Sequence, residues 1–176
     1  MTWVVAVILV ALLAVIVLYL GMTAGRLDRL HQRVDTSLLT LQAHLARRAA
    51  ITLEVAGSGY VDPATSVVLA EDAHATLAAS DQGDVGAWQE AESALTQALA
   101  VAFDEPPELD DPAAALLEEL KRSCRRVALS RRFHNDAVRA CRQIRSRTLV
   151  RAFRLAGHTP LPSTWEMADE MPIGLM

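Results

Sequence analysis

The sequence predicts an all-α protein in which a single N-terminal transmembrane helix is followed by an antiparallel four-helix-type bundle. Three observations support this fold class. The first 25 residues carry no charged side chain, apolar residues recur at steps of three and four through most of the remainder, and Asp-Pro and Gly-rich sequences separate the periodic segments. The predicted organisation is a transmembrane anchor over residues 1–25, a helical bundle over 26–157 and an extended or disordered tail over 158–176.

The N-terminal segment is apolar from Val4 to Leu20 except for the hydroxyl of Tyr19. As a helix, residues 1–25 span about 37 Å at 1.5 Å per residue, which exceeds the ~30 Å hydrocarbon core of a bilayer. Trp3 and Tyr19 lie near the two ends, where such rings favour the membrane interface. A cleavable signal peptide is the alternative, but it typically has a basic N-terminal region and a shorter apolar run. The sequence therefore favours an uncleaved anchor.

The charges that flank the anchor predict its orientation. No basic side chain precedes it, whereas Arg26, Arg29 and Arg33 follow it closely and Arg47 and Arg48 lie further along. Cytoplasmic flanks of membrane helices are enriched in Lys and Arg. The prediction is a single-pass protein of the cell membrane, with its N-terminus outside and its helical domain in the cytoplasm.

The first predicted helix continues from the anchor to about Val55 and ends at the glycines of Gly57-Ser58-Gly59. Its apolar stripe consists of Leu27, Leu30, Val34, Leu38, Leu41 and Leu45. A second, short helix begins at the N-cap Asp62, followed by Pro63, and runs to about Ser80. The apolar residues expected to support it are Val67, Val68, Ala70, Leu77 and Ala78.

A third helix is predicted from about Val85 to Phe103. One of its faces carries Trp88, Ala91, Leu95, Ala98, Leu99 and Ala102. The fourth helix is the longest, from about Pro112 to Arg154. Its seam repeats as a strict heptad through Ala113, Leu117, Leu120, Cys124, Val127, Arg131, His134, Val138 and Cys141. The residues expected to widen that apolar face are Phe133, Ala137, Ala140 and Ile144.

The net charge of −4 conceals a strong asymmetry along the chain. From Glu54 to Glu119 there are 15 Asp or Glu and no Lys or Arg, whereas from Lys121 to Arg154 there are 12 Lys or Arg and one acid, Asp136. The acidic helices could simply flank the basic one inside the bundle. Alternatively, part of the fourth helix faces an acidic protein or anionic lipid head groups. The residues expected on such a basic interaction face are Arg125, Arg132, Arg139 and Arg142.

Nucleic acid is not expected as a partner, because the chain is acidic overall and few aromatic residues are interleaved with its arginines. Cys124 and Cys141 are expected to be reduced core residues. On one helix they lie roughly 25 Å apart and cannot form a disulfide with each other.

The sequence contains none of the usual short motifs for zinc hydrolysis, phosphate binding or serine nucleophiles. Asp28, His31 and Asp35 share one helix side, but this spacing is typical of a solvated face. Arg131 and His134 interrupt the apolar heptad, where polar residues commonly fix register. An acidic loop lacks the alternating oxygens of a calcium site; it comprises Asp104, Glu105, Glu108, Asp110 and Asp111. No catalytic residue, cofactor or metal site is therefore expected.

Two stretches carry a resemblance to a known family. Arg29–Arg48, RLHQRVDTSLLTLQAHLARR, is similar to the first bundle helix of the LemA family, which ends in an Arg-Arg pair. Val127–Val138, VALSRRFHNDAV, is similar to that family's segment with a Tyr-Asn pair, with Phe133 to Asn135 in its place, and the region of Gly157 matches the end of the domain. The chain thus resembles a divergent LemA protein, which implies a membrane helix, a cytoplasmic antiparallel helical bundle and no established enzymatic activity.

These observations predict a non-enzymatic, membrane-anchored interaction protein. The leading expectation is an accessory subunit of a larger integral membrane complex, with a respiratory supercomplex as one specific candidate. Small residues of the anchor are expected to pack closely on the partner's helices, namely Ala6, Ala11, Ala14 and Gly21. The alternative is a free-standing LemA-like sensor or adaptor, or a homo-oligomeric scaffold, at the cytoplasmic face of the membrane. A membrane-bound enzyme would be favoured by a pocket lined by the buried, convergent side chains of Arg131, His134 and Asn135.

Overall fold

A computed structural model of the chain describes residues 1–105 and 111–176. These ranges are helical and contain no β-strand, which confirms the all-α prediction. The helices are α1 (Thr2–Gly57), α2 (Pro63–Gln82), α3 (Val85–Ala102), α4 (Asp111–Arg145) and α5 (Thr148–Ala152), with a 3-10 turn at Ile173–Leu175. The chain divides into two compact units, to each of which both α1 and α4 contribute: Met1–Thr36 with Asn135–Thr164, and Ser37–His134 with Trp165–Met176.

The first unit contains the apolar segment of α1. An 18-residue window of this segment has a mean hydropathy of 3.2, and none of it is buried. Among the described residues, α1 is the one helix long and apolar enough to cross a membrane. Beyond this segment, α1, α4 and α5 share a small core. It consists of Leu27, Val34, Ala137, Val138, Cys141, Ile144 and Val150.

In the second unit, aspartates begin two helices. Asp62 accepts hydrogen bonds from the amides of Ala64 and Thr65 at 3.0 and 3.1 Å, so that it caps α2. The pKa of Asp62 is lowered, first by a hydrogen bond with the side chain of Thr65 and then by the bond from the Thr65 amide. Asp84 caps α3 in the same way, and only Gly83 and Asp84 separate the two helices. Gly83 has a φ of 71°, a left-handed conformation that allows α2 to end tightly before α3 starts.

Two hydrophobic clusters form the core of the second unit. The larger one joins residues of α1, α2, α3 and α4, including Ile51, Leu69, Leu95 and Leu120, each at most 1% exposed. The smaller one surrounds Leu41, Leu45, Trp88, Val127 and Trp165. α2 and α3 also pack directly on each other. Full burial of an aliphatic side chain contributes about 1.5–3 kcal/mol relative to exposure, so these clusters dominate the packing free energy of the unit.

The predicted seams of α1 and α4 are confirmed, because their apolar members are buried or half-buried throughout. Four of the predicted apolar positions are wrong. Phe133 is expected to widen the buried face of α4, but it is 54% exposed. In α2, Val67, Val68 and Ala78 are exposed, and the buried positions are Leu69, Ala73, Thr76 and Ala79. Small residues at these positions let α2 approach its neighbours closely, which turns the two valines outward.

The fourth helix ends at Arg145, nine residues earlier than predicted, and not at Arg154. Arg147 adopts an extended conformation with a φ of −63° and a ψ of 137°, after which α5 begins. This break allows Val150 to enter the same core as Cys141 and Ile144. The burial of Val150 therefore outweighs the favourable helix propensity of the arginine-rich sequence.

The segment that follows residue 157 has no regular secondary structure apart from the turn at Ile173–Leu175. The part that belongs to the second unit, Trp165–Met176, is nevertheless packed, since Trp165, Met167 and Leu175 are buried. The ring of Trp165 meets that of Trp88 edge-on, with centroids 5.1 Å apart and an interplanar angle of 87°. The amide of Ala168 also donates to Ser93 Oγ at 3.1 Å. These contacts hold the extended segment against α3.

Candidate functional site

The outward side of α4 carries arginines together with two large apolar side chains. We call this surface the α4 outer face; in the second unit it consists of Arg122, Arg125, Arg126, Leu129, Arg132 and Phe133. All six residues are exposed, and Leu129 and Phe133 are 53% and 54% exposed. Their spacing of three and four residues places them on one side of the helix, away from the buried seam. Two exposed apolar side chains framed by cations form a surface suited to an amphipathic, acidic partner.

The acidic helices do not neutralise this face through ion pairs in the part of the chain that the structure describes. The carboxylates that pair with residues of α4 come from α4 itself or from Asp169 in the extended segment. One acid of α3, Glu92, forms an ion pair, and its partner is Arg48 of α1. Within the described residues, Arg125, Arg126 and Arg132 therefore have no carboxylate partner. The acidic side chains of α2 and α3 therefore form no ion pair with the arginines of the α4 outer face among the described residues.

The other two residues expected on the basic face belong to the first unit and have contacts within the chain. Arg139 is exposed and pairs with Asp136 one turn earlier. Arg142 is also exposed, and its Nε donates to the carbonyl oxygen of Pro162 at 2.7 Å. These two arginines are thus held in place by neighbours, unlike Arg125 and Arg132.

The small residues proposed for packing inside the membrane all lie in the exposed apolar segment of α1. At about 100° per residue, Ala6, Ala14 and Gly21 fall within roughly 80° of one another around the helix, whereas Ala11 lies about 140° from Ala6. Ala11 lies about 60° from Ala14, so all four residues fall within an arc of about 140° on one side of the helix. At Gly21, an added Cβ atom would meet no atom within 4 Å, so its surroundings are open to a neighbouring helix.

The most deeply buried polar group lies between α1 and α3. Nη2 of Arg48 donates to Oε2 of Glu92 at 2.6 Å, and their side chains are only 3% and 1% exposed. Nη1 of Arg48 donates to Thr96 Oγ1 at 3.0 Å, and Trp88 Nε1 donates to Oε1 of Glu92 at 3.0 Å. Both carboxylate oxygens of Glu92 are thus occupied. Because both side chains are almost fully buried, these contacts join α1 to α3 and leave little room for another molecule beside the carboxylate.

Cys124 lies beside this group on α4. Burial raises the pKa of its thiol, and the neighbouring Arg48 opposes that shift only in part. Burial also raises the pKa of Cys141, with Arg145 acting in the opposite direction. Reactive cysteines are accessible and have a lowered pKa. The two thiols therefore behave as buried apolar groups, and both are free.

Two histidine–serine pairs join α1 to α4 in the second unit. His134 Nδ1 lies 3.1 Å from Ser37 Oγ, and His44 Nδ1 lies 2.6 Å from Ser130 Oγ. Ser130 donates its hydroxyl hydrogen to the carbonyl of Arg126 at 2.7 Å, so it accepts from His44. Nδ1 of His44 therefore carries the hydrogen of this bond. It cannot remove a proton from Ser130, as the base of a nucleophilic serine–histidine pair must do. Arg131, the other polar member of the α4 seam, pairs with Asp169 at 2.8 Å.

No group of three or more His, Cys, Asp or Glu among residues 1–105 and 111–176 could hold a metal ion. Asp28 and Asp35 are exposed, and His31 Nε2 lies 3.4 Å from Nη1 of Arg145. In the predicted acidic loop, Glu108 and Asp110 lie outside the described residues.

The comparisons with known proteins provide no relative from which a function could be transferred. No family model, no curated protein and no solved structure matches the chain. The LemA resemblance therefore stays a prediction based on the two stretches quoted above.

Proposed function

We propose that this chain is a non-enzymatic, membrane-anchored helical interaction protein that serves as an accessory subunit of a larger integral membrane complex. In this proposal, the apolar part of α1 spans the cell membrane with its N-terminus outside. The remaining helices form an antiparallel four-helix-type bundle on the cytoplasmic side. A respiratory supercomplex is one specific candidate for the complex.

The α4 outer face is the observation that carries this proposal. Leu129 and Phe133 lie one turn apart and each exposes about half of its surface. Arg125 and Arg132 flank them without a carboxylate partner among the described residues. Aromatic and arginine side chains are enriched among residues that dominate binding, and a central apolar pair framed by charges is their usual arrangement. The expected partner surface has an apolar pocket bordered by Asp or Glu.

The two apolar side chains are expected to supply most of the affinity. Burying the exposed half of Leu129 and of Phe133 contributes about 1 kcal/mol each, half of the value for full burial. The arginines mainly accelerate association and select an acidic partner, because an ion pair between exposed charges contributes little net free energy. A docking energy of this size is sufficient when the anchor already confines both proteins to one membrane, because confinement raises the effective concentration.

The anchor supports the proposal in a second way. α1 runs without interruption from the apolar segment to Gly57, so the same helix enters both compact units. Ala6, Ala14 and Gly21 place small side chains on one side of the apolar segment, which permits close packing against another membrane helix. A partner helix bound there and a partner surface bound at α4 would belong to the same complex.

The test is co-purification of the full chain from its native membranes in a mild detergent, with quantitative mass spectrometry of the recovered proteins. We expect a defined set of integral membrane proteins in fixed ratio to the chain. Replacement of both apolar residues, Leu129→Ser with Phe133→Ser, is expected to reduce that recovery about 30-fold, which corresponds to about 2 kcal/mol.

The matched control is Val67→Ser with Val101→Ser. These two valines are also exposed, but they lie on α2 and α3. We expect the control variant to recover the same proteins as the unmodified chain. If the unmodified chain arrives alone or only with itself, the accessory-subunit proposal fails, and a free-standing LemA-like sensor or adaptor, or a homo-oligomer, takes its place.

A further inference from the structure

The first unit contains a cavity where the chain turns from α4 into α5. Its volume is about 800 Å³, and the residues that matter most for its chemistry are Arg142, Arg145, Ser146, Arg151, Arg154 and Leu161. Four of its lining residues are arginines, and no carboxylate lines it among the described residues. A concave site with this lining has the chemistry to bind an anion.

Two of the four arginines are held in place by backbone carbonyl groups. Arg145 donates to the carbonyl oxygens of Pro160 and Thr159 at 2.8 and 2.6 Å, and Arg142 uses its Nε for Pro162. Both terminal nitrogens of Arg142 have no further partner within the described residues and remain free to donate. Guanidinium groups that are already oriented lose less conformational entropy when an anion binds.

Arg151 and Arg154 are exposed, and their side chains have no partner in the described ranges. Arg154 adopts a φ of 49°, the left-handed conformation that non-glycine residues adopt least readily, and Gly157 follows with a φ of 57°. Together these residues turn the chain sharply, so that Leu161 in the segment after α5 lines one side of the cavity. The arginines on this turn provide positive charge that no carboxylate of residues 1–105 and 111–176 neutralises through an ion pair.

The cavity lies beside the part of α1 that follows the apolar segment. Residues Trp3–Met22 form 20 helical residues and match the ~30 Å hydrocarbon core at 1.5 Å per residue. Leu27 is five residues further, about 7.5 Å, which corresponds to the head-group layer. Leu27 shares its core with Val150 of α5. When the apolar segment spans a bilayer, α5 is therefore held at the depth of the lipid phosphates.

Exposed apolar side chains accompany the arginines at this depth. Leu149 is 46%, Phe153 is 53% and Leu161 is 63% exposed. A site for a small soluble phosphate has no need for such side chains, whereas they would contact the upper part of acyl chains in a membrane. Basic and apolar residues side by side are typical of surfaces that lie in the membrane interface.

We propose that this cavity binds the phosphate head group of an anionic phospholipid from the membrane that holds the anchor. Arg142, Arg151 and Arg154 contact the phosphate, Arg145 maintains the shape of the cavity, and Phe153 and Leu161 lie against the acyl chains. This inference goes beyond the protein docking proposed for α4 and involves none of the residues of the α4 outer face.

The test uses the full chain in a mild detergent and native mass spectrometry. Phosphatidylglycerol and phosphatidylcholine are titrated separately, and the lipid retained per chain is measured. We expect at least tenfold tighter binding of phosphatidylglycerol. Arg151→Gln with Arg154→Gln is expected to weaken that binding about 30-fold, because each arginine near anionic lipid contributes about fivefold. The matched control, Arg47→Gln with Lys121→Gln, removes equal charge from residues that line neither the cavity nor the α4 outer face and is expected to bind like the unmodified chain.

Several outcomes would overturn the proposal. Equal retention of the two lipids, or unchanged binding by the Arg151/Arg154 variant with its helical circular dichroism intact, means that the cavity has no head-group site. Displacement of the lipid by glycerol phosphate at a similar concentration means that the site takes a soluble phosphate. If the double variant loses its helicity, the single changes Arg151→Gln and Arg154→Gln are measured, and each is expected to weaken binding about fivefold.

Discussion

The side chains of Arg48 and Glu92 form an ion pair that is closed to water, with Nη2 of Arg48 2.6 Å from Oε2 of Glu92. The pair joins α1 to α3 across 44 residues of sequence, and Trp88 and Thr96 add further hydrogen bonds, whereas the buried Nε of Arg48 has no partner among the described residues. Such a pair contributes little net stability over an apolar replacement of similar volume, but removal of one partner leaves a buried charge without compensation. The register of α1 against α3 thus depends on both partners being present.

Glu92→Gln is expected to lower the free energy of unfolding by about 3–5 kcal/mol, because it leaves the guanidinium of Arg48 buried without a counter-ion. Urea unfolding of the full chain in detergent, followed by circular dichroism, measures the loss. Arg48→Met combined with Glu92→Leu is expected to cost less than the two single changes added together.

The neighbouring residue provides the control for this experiment. Arg47 pairs with Glu119, but both side chains are exposed, so Arg47→Gln is expected to cost less than about 1 kcal/mol. A Glu92→Gln variant as stable as Arg47→Gln would show that the buried pair does not hold the two helices together.

Trp165→Ala is expected to destabilise the second unit by about 3–5 kcal/mol, since it removes a large side chain that is only 2% exposed. It also removes the edge-on contact with Trp88, so the near-ultraviolet circular dichroism of the remaining tryptophans should weaken. Thermal unfolding measures the stability. Ile173→Ala, a change at an exposed position in the same segment, should shift it by less than about 0.5 kcal/mol. Similar losses from both changes would argue against a specific role of Trp165.

The two cysteines are expected to be unreactive toward a maleimide at neutral pH in the folded protein and to react fully in urea. Both thiols are buried, and burial raises the pKa of each. The unfolded chain, with thiol pKa values of about 8.5, releases these protons at lower pH than the folded chain does. The contribution of the thiols to the free energy of unfolding should therefore be constant below about pH 8 and decrease as the pH rises above it. Rapid labelling of the folded chain would contradict this prediction.

Cys124→Ala with Cys141→Ala is the control for the pH dependence. In this variant, the part of the decrease in the free energy of unfolding at alkaline pH that the thiols cause should disappear. Any decrease caused by other titrating groups should stay. An identical decrease in the variant would assign it to those other groups.

Arg145→Gln is expected to loosen the segment that follows α5. The guanidinium of Arg145 donates to the carbonyl oxygens of Pro160 and Thr159 in bonds that are exposed to water, so each bond contributes less than the ~1.5–3 kcal/mol of a bond to a charged group that is shielded from water. Hydrogen exchange at the amide of Thr159, which is bonded to Ala156, should accelerate in the variant. Arg139→Gln serves as the comparison, since Arg139 pairs only with Asp136 of its own helix and should leave that exchange rate unchanged.

The helices could be predicted from the sequence because their apolar residues repeat at steps that only a helix brings onto one side. The break after Arg145 could not, since no Gly or Pro marks it and it depends on the packing of Val150 in a core that includes Leu27. The position of Phe133 was equally inaccessible from periodicity. It borders both the seam and the arginines, and only the packing of α4 determines that it faces outward.

The buried ion pair had a sequence signal that the prediction did not use. The apolar stripe of α1 continues beyond Leu45 in steps of three, four and three to Arg48, Thr52 and Val55, all of which are buried. On α3, Glu92 lies one turn from Trp88 and one turn from Leu95. Each position therefore belongs to a buried face. Their pairing depends on how α1 and α3 meet, which no local pattern contains.

The burial of Trp165 and Met167 has a consequence for biosynthesis. Their cluster also contains Leu41, Leu45, Trp88 and Val127, all of which leave the ribosome earlier. That cluster cannot be completed until residue 167 has left the ribosome. By then the apolar segment of α1 has already left the ribosome and can meet the membrane-insertion machinery. In the proposed membrane topology, insertion of α1 therefore precedes completion of this cluster, which stays incomplete until the last residues of the chain are made.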